Sequence, residues 1–419
     1  MKCFIGLDVS STKLDYCILT DDVALHILDN GSVPNDIVGA SEIKNQILEL
    51  NQHYQFNRIV VGMEATSLYS FHPAMFFNED EELQDLGVEA FIEQPQKIKK
   101  YREAFEENKN DTIDAFYIAD YFRIERFTNS IIKEEQYIAL QHLTRTRLQL
   151  MEQLVRTKQH FIENIYYKCN TLASTLKKDD LSTSIFSATL IQLMTENYCL
   201  DELAQKPLEE FSDLLQEMGK GRFKKPEKLA KAITKAIRGS YRLGKLQKNS
   251  VDIVLSVLVR EIRSLQKAIK DIDKAIEDLV EIIPEYQCLT SIPGIGKVFA
   301  GGIIAEIGQI ERFAGHPQVA KYAGLNWKQT QSGNTNSQNT ELVKRGNRYL
   351  RYYLVEAANS VRRHLPEYQE FYTKKYNEVP KHQHKRAIVL TARKFVRLVE
   401  TLLRNHQLYT PPRSVIEHE

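Results

Sequence analysis

A chain of 419 residues is long enough for two or three domains, and 42% hydrophobic against 26% charged residues excludes wholesale disorder. The formal net charge of +1 selects no partner class, but charge is segregated: over residues 1–120 acids outnumber Lys and Arg about two to one, and two later stretches are strongly basic. Five scattered cysteines without a CxxC pair exclude a disulfide framework and a cysteine zinc site; with no apolar run of membrane length and no signal-peptide core, the sequence predicts a soluble cytoplasmic protein without membrane contact.

The first 125 or so residues alternate strand and helix signals. Residues 2–7 (KCFIGL), 14–19 (LDYCIL) and 23–28 (VALHIL) read as three strands of an antiparallel meander. A helical pattern over 36–50 follows, then a compact β-rich run at 58–63 (RIVVGM), a short strand at 88–92, and a closing helix from about 96 to 121. Three strands, helix, strand, helix, strand, helix is the order of an RNase H-like α/β fold. No glycine fingerprint follows the first strand, which disfavours dinucleotide binding.

A long amphipathic helix is predicted over 134–167 and another over 251–283. In the second, Leu255, Leu258, Ile262, Leu265, Ile269, Ile272, Ile276, Leu279 and Ile283 alternate steps of three and four, a coiled-coil seam of about four heptads. An intramolecular helical hairpin and a dimer interface fit this seam equally well. Between the helices lies a less regular insertion, about 175–247. Over 222–248 it sets ten Lys and Arg against one Glu, a density that suits phosphate binding better than a merely solvated face. The expected division is therefore 1–125, a helical 126–283, a mostly helical 284–408, and a tail at 409–419.

Three constellations carry chemistry. Asp8 ends the first strand, Glu64 ends the fourth, and Asp111 and Asp114 lie three apart on the closing helix, hence on one face. In an RNase H-like sheet the first and fourth strands are parallel neighbours, so these four acids converge. Such a group suits hard divalent cations, Mg²⁺ or Mn²⁺, and phosphoryl transfer. Singly, each Asp is better explained as a turn or cap residue; their order and placement make the case. The second constellation, Gly294, Gly296 and Lys297 in IPGIGK before an apolar helix, resembles the hairpin of a helix-hairpin-helix element, where backbone N–H groups approach a phosphate. A tight turn between packed helices fits equally, and Val after Lys297 excludes a Walker A loop. The third is a polar loop carrying Ser332, followed by Lys344, Arg345, Arg348 and Arg351 with interleaved tyrosines. Over 342–404 fifteen Lys and Arg face five Glu, a pattern suited to nucleic-acid backbone.

Together these residues resemble the DEDD-motif insertion-sequence transposases, a family related to the pilin-gene invertase and to bridge-RNA-guided serine recombinases. The resemblance spans roughly 3–125 and 284–365, through the four acids and then the ordered string IPGIG, KYAGL, QSG and KRGNRYLR. Asn110 and Asn326 depart from it, where Thr and Pro are common. The resemblance implies a Holliday-junction-resolvase-like nuclease domain, a central coiled coil, and a C-terminal transposase domain whose nucleophilic serine falls on Ser332. It further implies donor and target double-stranded DNA, a structured non-coding RNA partner, a homo-oligomer (dimer or tetramer), and a prokaryotic cytoplasm. Two other readings stay open: a metal-dependent junction resolvase that uses water, and a non-enzymatic coiled-coil DNA-binding protein.

Overall fold

The apolar runs of the first part form five strands: β1 (Lys2–Val9), β2 (Lys13–Thr20), β3 (Ile27–Pro34), β4 (Arg58–Glu64) and β5 (Val88–Glu93). This computed structural model describes residues 1–411 except 23, 66–68, 94, 106–110, 126, 128–134, 179–182, 196–197, 328–330, 333–334, 337–341 and 344, and only the backbone of 111–112, 331–332 and 335–336. The sheet order is β3-β2-β1-β4-β5. The first three strands are antiparallel, whereas β4 runs parallel to both β1 and β5. That mixed order is the one expected of an RNase H-like sheet.

Strict alternation separates the two faces of the sheet. Cys3, Ile5, Leu7 and Val9 of β1 join Ile59, Val61 and Met63 of β4 in one core. That core is covered by α1 (Ile37–Tyr54), α2 (Phe71–Glu79) and α3 (Glu81–Asp85). Phe4, Val60 and Phe91 face the other way, toward α4 (Pro95–Arg102) and α5 (Asp111–Arg123). Two expectations change. The third strand lies at 27–34, not 23–28, because β3 is a largely exposed edge whose ILDNGSVP sequence has no apolar run to reveal it. The closing helix is two helices, α4 and α5, and the residues at 106–110 between them lie outside the described set.

The chain divides into two units, one made of Met1–Ala139 with Ile283–Glu419, the other of Leu140–Ile282. The second is built on α6 (Glu135–Lys168) and later helices: α7 (Leu172–Lys178), α8 (Ala188–Thr195), α9 (Leu200–Gln205), α10 (Leu208–Met218), α11 (Pro226–Arg238) and α12 (Lys245–Val280). The first half of the predicted seam of α12 packs within the chain. Leu255, Ile262 and Ile269, with Val259 beside them, share a core with Leu154, Phe161 and Ile165 of α6 and with the inserted helices, while Leu258 and Leu265 are only partly buried against it. Polar links tie the pair in antiparallel register, from Arg147–Asp273, through Thr157 donating to Glu261 at 3.0 Å, to Lys168–Asp252 at 2.6 Å.

The C-terminal part holds α13 (Glu285–Thr290), α14 (Lys297–Ile307), α15 (His316–Tyr322), a short hairpin of β6 (Gln331–Ser332) and β7 (Thr335–Asn336), then α16 (Arg348–Val361), α17 (Pro366–Asn377) and α18 (Gln383–Arg404). Among the described residues no helix is long and apolar enough to cross a membrane. All five cysteines are free, and burial pushes the thiols of Cys3 and Cys17 up to about 12, so neither is a reactive thiolate at neutral pH.

Leu255→Ala, at a fully buried seam position, is expected to destabilise the helical unit by about 2–5 kcal/mol. Val254→Ala, at the exposed neighbour, should stay within about 0.5 kcal/mol. Denaturant unfolding with light scattering checks both. A Leu255→Ala protein of unchanged stability but altered mass would place the seam between protomers.

Candidate functional site

The acidic end of the sheet is set by how α5 crosses it. A Cβ added to Gly6 would lie 2.2 Å from the Ala115 carbonyl oxygen, and one on Gly62 would lie 1.9 Å from the Phe122 ring. These two glycines are register partners on β1 and β4, so their missing side chains let the helix lie directly on the strands. At the other end Lys2 bonds Glu125, just past α5, at 2.6 Å. The helix therefore runs antiparallel to β1, and its first turn, with Asp111 and Asp114, lies at the end where Asp8 and Glu64 stand.

Alternation fixes the face as well. Phe4 and Gly6 meet α5, so Asp8 does too; Val60 and Gly62 carry Glu64 the same way. Leu7 pairs with Met63, which makes Asp8 and Glu64 cross-strand neighbours. The same row extends further than the sequence suggested, because Asp15 of β2 pairs with Asp8 and Glu93 of β5 pairs with Glu64. Four carboxylates thus line adjacent strands beneath the start of α5. Only cross-strand register reveals Asp15 and Glu93; no spacing along the chain does.

Basic and phenolic groups offset much of this charge. Lys13 lies 3.1 Å from Asp15, and Lys97 lies 2.7 Å from the buried Glu93. The Tyr121 hydroxyl donates to Glu93 at 3.2 Å, and burial with that carboxylate pushes its phenol above the ordinary range. The Tyr101 hydroxyl similarly donates to Asp120 at 2.6 Å and is pushed up by the same two causes. Asp114 is held by the Arg102 guanidinium, both side chains being largely buried, while Arg102 Nε is enclosed without a hydrogen-bond partner. No periodic signal in the sequence singles out Arg102.

The side chain of Asp111 lies outside the described residues. Among those described, no three His, Cys, Asp or Glu side chains converge so as to hold a metal ion. The backbones of Asp8, Glu64, Asp111 and Asp114 nonetheless lie at one end of the sheet, and carboxylate oxygens are the ligand type that Mg²⁺ or Mn²⁺ would take. An ion held by the Asp114 oxygen that faces Arg102 would have to displace that guanidinium.

The C-terminal motifs are tied together by hydrogen bonds. Gly324, at φ +69°, and Gly346, at φ +140°, bring the KYAGL and KRGN turns into contact. Asn347 caps α16 through Tyr349 N and Leu350 N, and its amide donates to the fully buried Glu306 at 2.6 Å. Arg351 donates to the Ala323 carbonyl at 3.0 Å, and burial holds its guanidinium below its usual pKa. Arg345 and Arg348 stay exposed, with Arg348 stacked on Tyr349 at 4.7 Å. Gly294, at φ +93°, packs under His364, while Gly296 caps α14 ahead of Lys297 with open space around its Cα.

Ser332 pairs with Thr335 in the β6–β7 hairpin, above a Trp327–Leu342 bridge that closes the polar loop at its base. The Ser332 side chain and all of Lys344 lie outside the described residues.

Residues 5–165 match a family described as Transposase, and residues 286–373 match the Transposase IS116/IS110/IS902 family. The transposase for insertion sequence element IS1111A of Coxiella burnetii is 31% identical over 112 residues, 27% of this chain and 30% of that protein. The chain thus spans under a third of that relative. An insertion element IS116 uncharacterized 44.8 kDa protein of Streptomyces clavuligerus is 23% identical over 314 residues, 74% of this chain and 75% of that one. Among solved structures, Thermus thermophilus RuvC in complex with Holliday junction substrate aligns with 28% of this chain and 90% of its own, at 15% identity and a TM-score of 0.21.

Gly6→Ala sets a methyl against the α5 backbone. The expected outcome is a loss of about 1–3 kcal/mol of stability together with weaker Mn²⁺ binding by calorimetry. A variant with wild-type stability would contradict the close crossing.

Proposed function

Because this chain belongs to the IS116/IS110/IS902 family of insertion-sequence transposases, we propose that it is a DNA transposase that cleaves and exchanges strands by metal-dependent phosphoryl transfer. The observation that carries this reading is the register of β1 on β4, which pairs Leu7 with Met63. It so sets the next residues, Asp8 and Glu64, at the ends of parallel strands beneath the first turn of α5, where Asp111 and Asp114 begin the helix. These four acids hold the metal, Mg²⁺ or Mn²⁺. Bound there, it supplies positive charge for the oxygens of the reacting phosphate.

Ser332 is the nucleophile in this proposal. Its Oγ gives up a proton and bonds to phosphorus, the bond from phosphorus to the departing deoxyribose oxygen breaks, and that oxygen takes up a proton. A hydroxyl of the incoming strand reverses the step, so the phosphodiester energy is conserved and no energy-rich cofactor is required.

The partners are donor and target double-stranded DNA, a structured non-coding RNA that reads sequence by base pairing, and further copies of this chain in a dimer or tetramer. Gly294, Gly296, Lys297, Lys344, Arg345 and Arg348 are assigned to the nucleic-acid backbone. Arg351, engaged by Ala323, supports the turn beneath them.

Asp8→Asn is expected to keep the fold, because it removes charge from a crowded acidic row, and to lower cleavage in Mg²⁺ by about 10,000-fold, as for one member of a catalytic set. Ser332→Ala should bind DNA normally yet form no covalent protein–DNA adduct on a nicked substrate after denaturation. Full recombination by Ser332→Ala would leave a water-using nuclease as the better account, and full cleavage by Asp8→Asn would remove the acids from the reaction.

A further inference from the structure

The helical unit carries a charged surface that the proposed chemistry does not use. In α11, Leu229, Ala230, Ala232, Ile233, Ala236 and Ile237 are buried in the core of the unit. Lys228, Lys231 and Lys235 recur at steps of three and four on the opposite side and are exposed. Arg222, Lys224 and Lys225 extend this face just ahead of the helix, all exposed. The acids of the neighbouring α10, among them Glu209, Glu210, Asp213 and Glu217, form no ion pair with Lys224, Lys225, Lys228 or Lys231 among the described residues.

The placement of this charge is unfavourable for the helix itself. Lys225 is the N-cap, no side chain caps it, and Glu227 is the one acid in the first turn. Lys224, Lys225 and Lys228 therefore crowd the end of α11 that already carries the positive pole of the helix dipole, where acids are the stabilising choice. A fold optimised only for stability would set acids there. A polyanion lying along the helix removes the repulsion and satisfies the exposed N–H groups of the first turn.

We propose that this lysine face of α11 is a docking surface for the backbone of duplex DNA. The face spans about 10 Å from Lys228 to Lys235 at 1.5 Å per residue. It therefore reaches two or three successive phosphates of one strand and reads no sequence. Duplex DNA is the occupant because it is the polyanion on which the transposase reaction acts. The inference rests on that reading, and it gives the helical unit the task of gripping DNA.

The test is fluorescence anisotropy of the full-length chain with a mixed-sequence duplex DNA, a single-stranded DNA and a folded RNA, each across a salt series. The variant is Lys224→Gln with Lys228→Gln and Lys231→Gln, and the corresponding Lys→Arg triple serves as the charge-conserving control. Each lost phosphate contact lowers the salt slope by about 0.9, so between roughly 50 and 200 mM salt the wild type should lose about 40-fold more affinity for duplex than the Gln triple does. The Arg triple should keep the wild-type slope. An unchanged slope for the Gln triple on duplex DNA overturns the proposal, and so does a loss confined to RNA. If the wild type binds no duplex at all, the transposase reading itself fails; if it binds and only the variants disappoint, that reading stands without this surface.

Discussion

Gly6 and Gly62 stand side by side on parallel strands, and α5 lies across them at a distance no other residue permits. This contact orients everything at the acidic end of the sheet. With Lys2 and Glu125 tying down the far end of the crossing, the first turn of α5 has one place to go, over the ends of β1 and β4. The register of the two strands then places Asp8 and Glu64 together beneath it. A side chain at either glycine would lift the helix and separate the acids on the strands from the acids on the helix.

Bringing so many carboxylates to one row carries an electrostatic penalty, and the surrounding residues offset it locally. Lys13, Lys97 and Arg102 each take one acid, and Tyr121 adds a hydrogen bond to Glu93. The Arg102–Asp114 pair differs from the others in where it sits, since Asp114 is one of the four acids assigned to the metal. The guanidinium neutralises that carboxylate, and a divalent cation held there would supply twice the charge in a smaller volume. Glu93 and Asp15, by contrast, keep their lysines at the edges of the row, which suits shaping the site more than ligating.

Much of this was legible in the sequence, for physical reasons that differ between elements. β1, β2, β4 and β5 announce themselves because buried strands are apolar runs; β3 does not, because an exposed edge strand has no such requirement and ILDNGSVP reads as a loop. The three-four repeat of α12 revealed a seam, but periodicity says nothing about what fills it, and here α6 of the same chain does. Asp8, Glu64, Asp111 and Asp114 were proposed from order and placement, whereas Asp15 and Glu93 come into view only through the register. Arg351 shows the opposite limit. Its charge and tyrosine neighbours suggested a phosphate contact, yet the gap beside Gly324 draws its guanidinium onto a backbone carbonyl. Charge along a helix does not distinguish an inward-facing arginine from an outward-facing one.

The central claim is that the acids at the end of β1, the end of β4 and the start of α5 form one divalent-metal site. Crystals of the full chain soaked in Mn²⁺ and measured at a wavelength where manganese scatters anomalously test it most directly. The account predicts an anomalous peak in contact with Asp8, Glu64, Asp111 and Asp114, with the Arg102 guanidinium displaced from Asp114. A manganese-free sheet end in which Arg102 still holds Asp114 would contradict it.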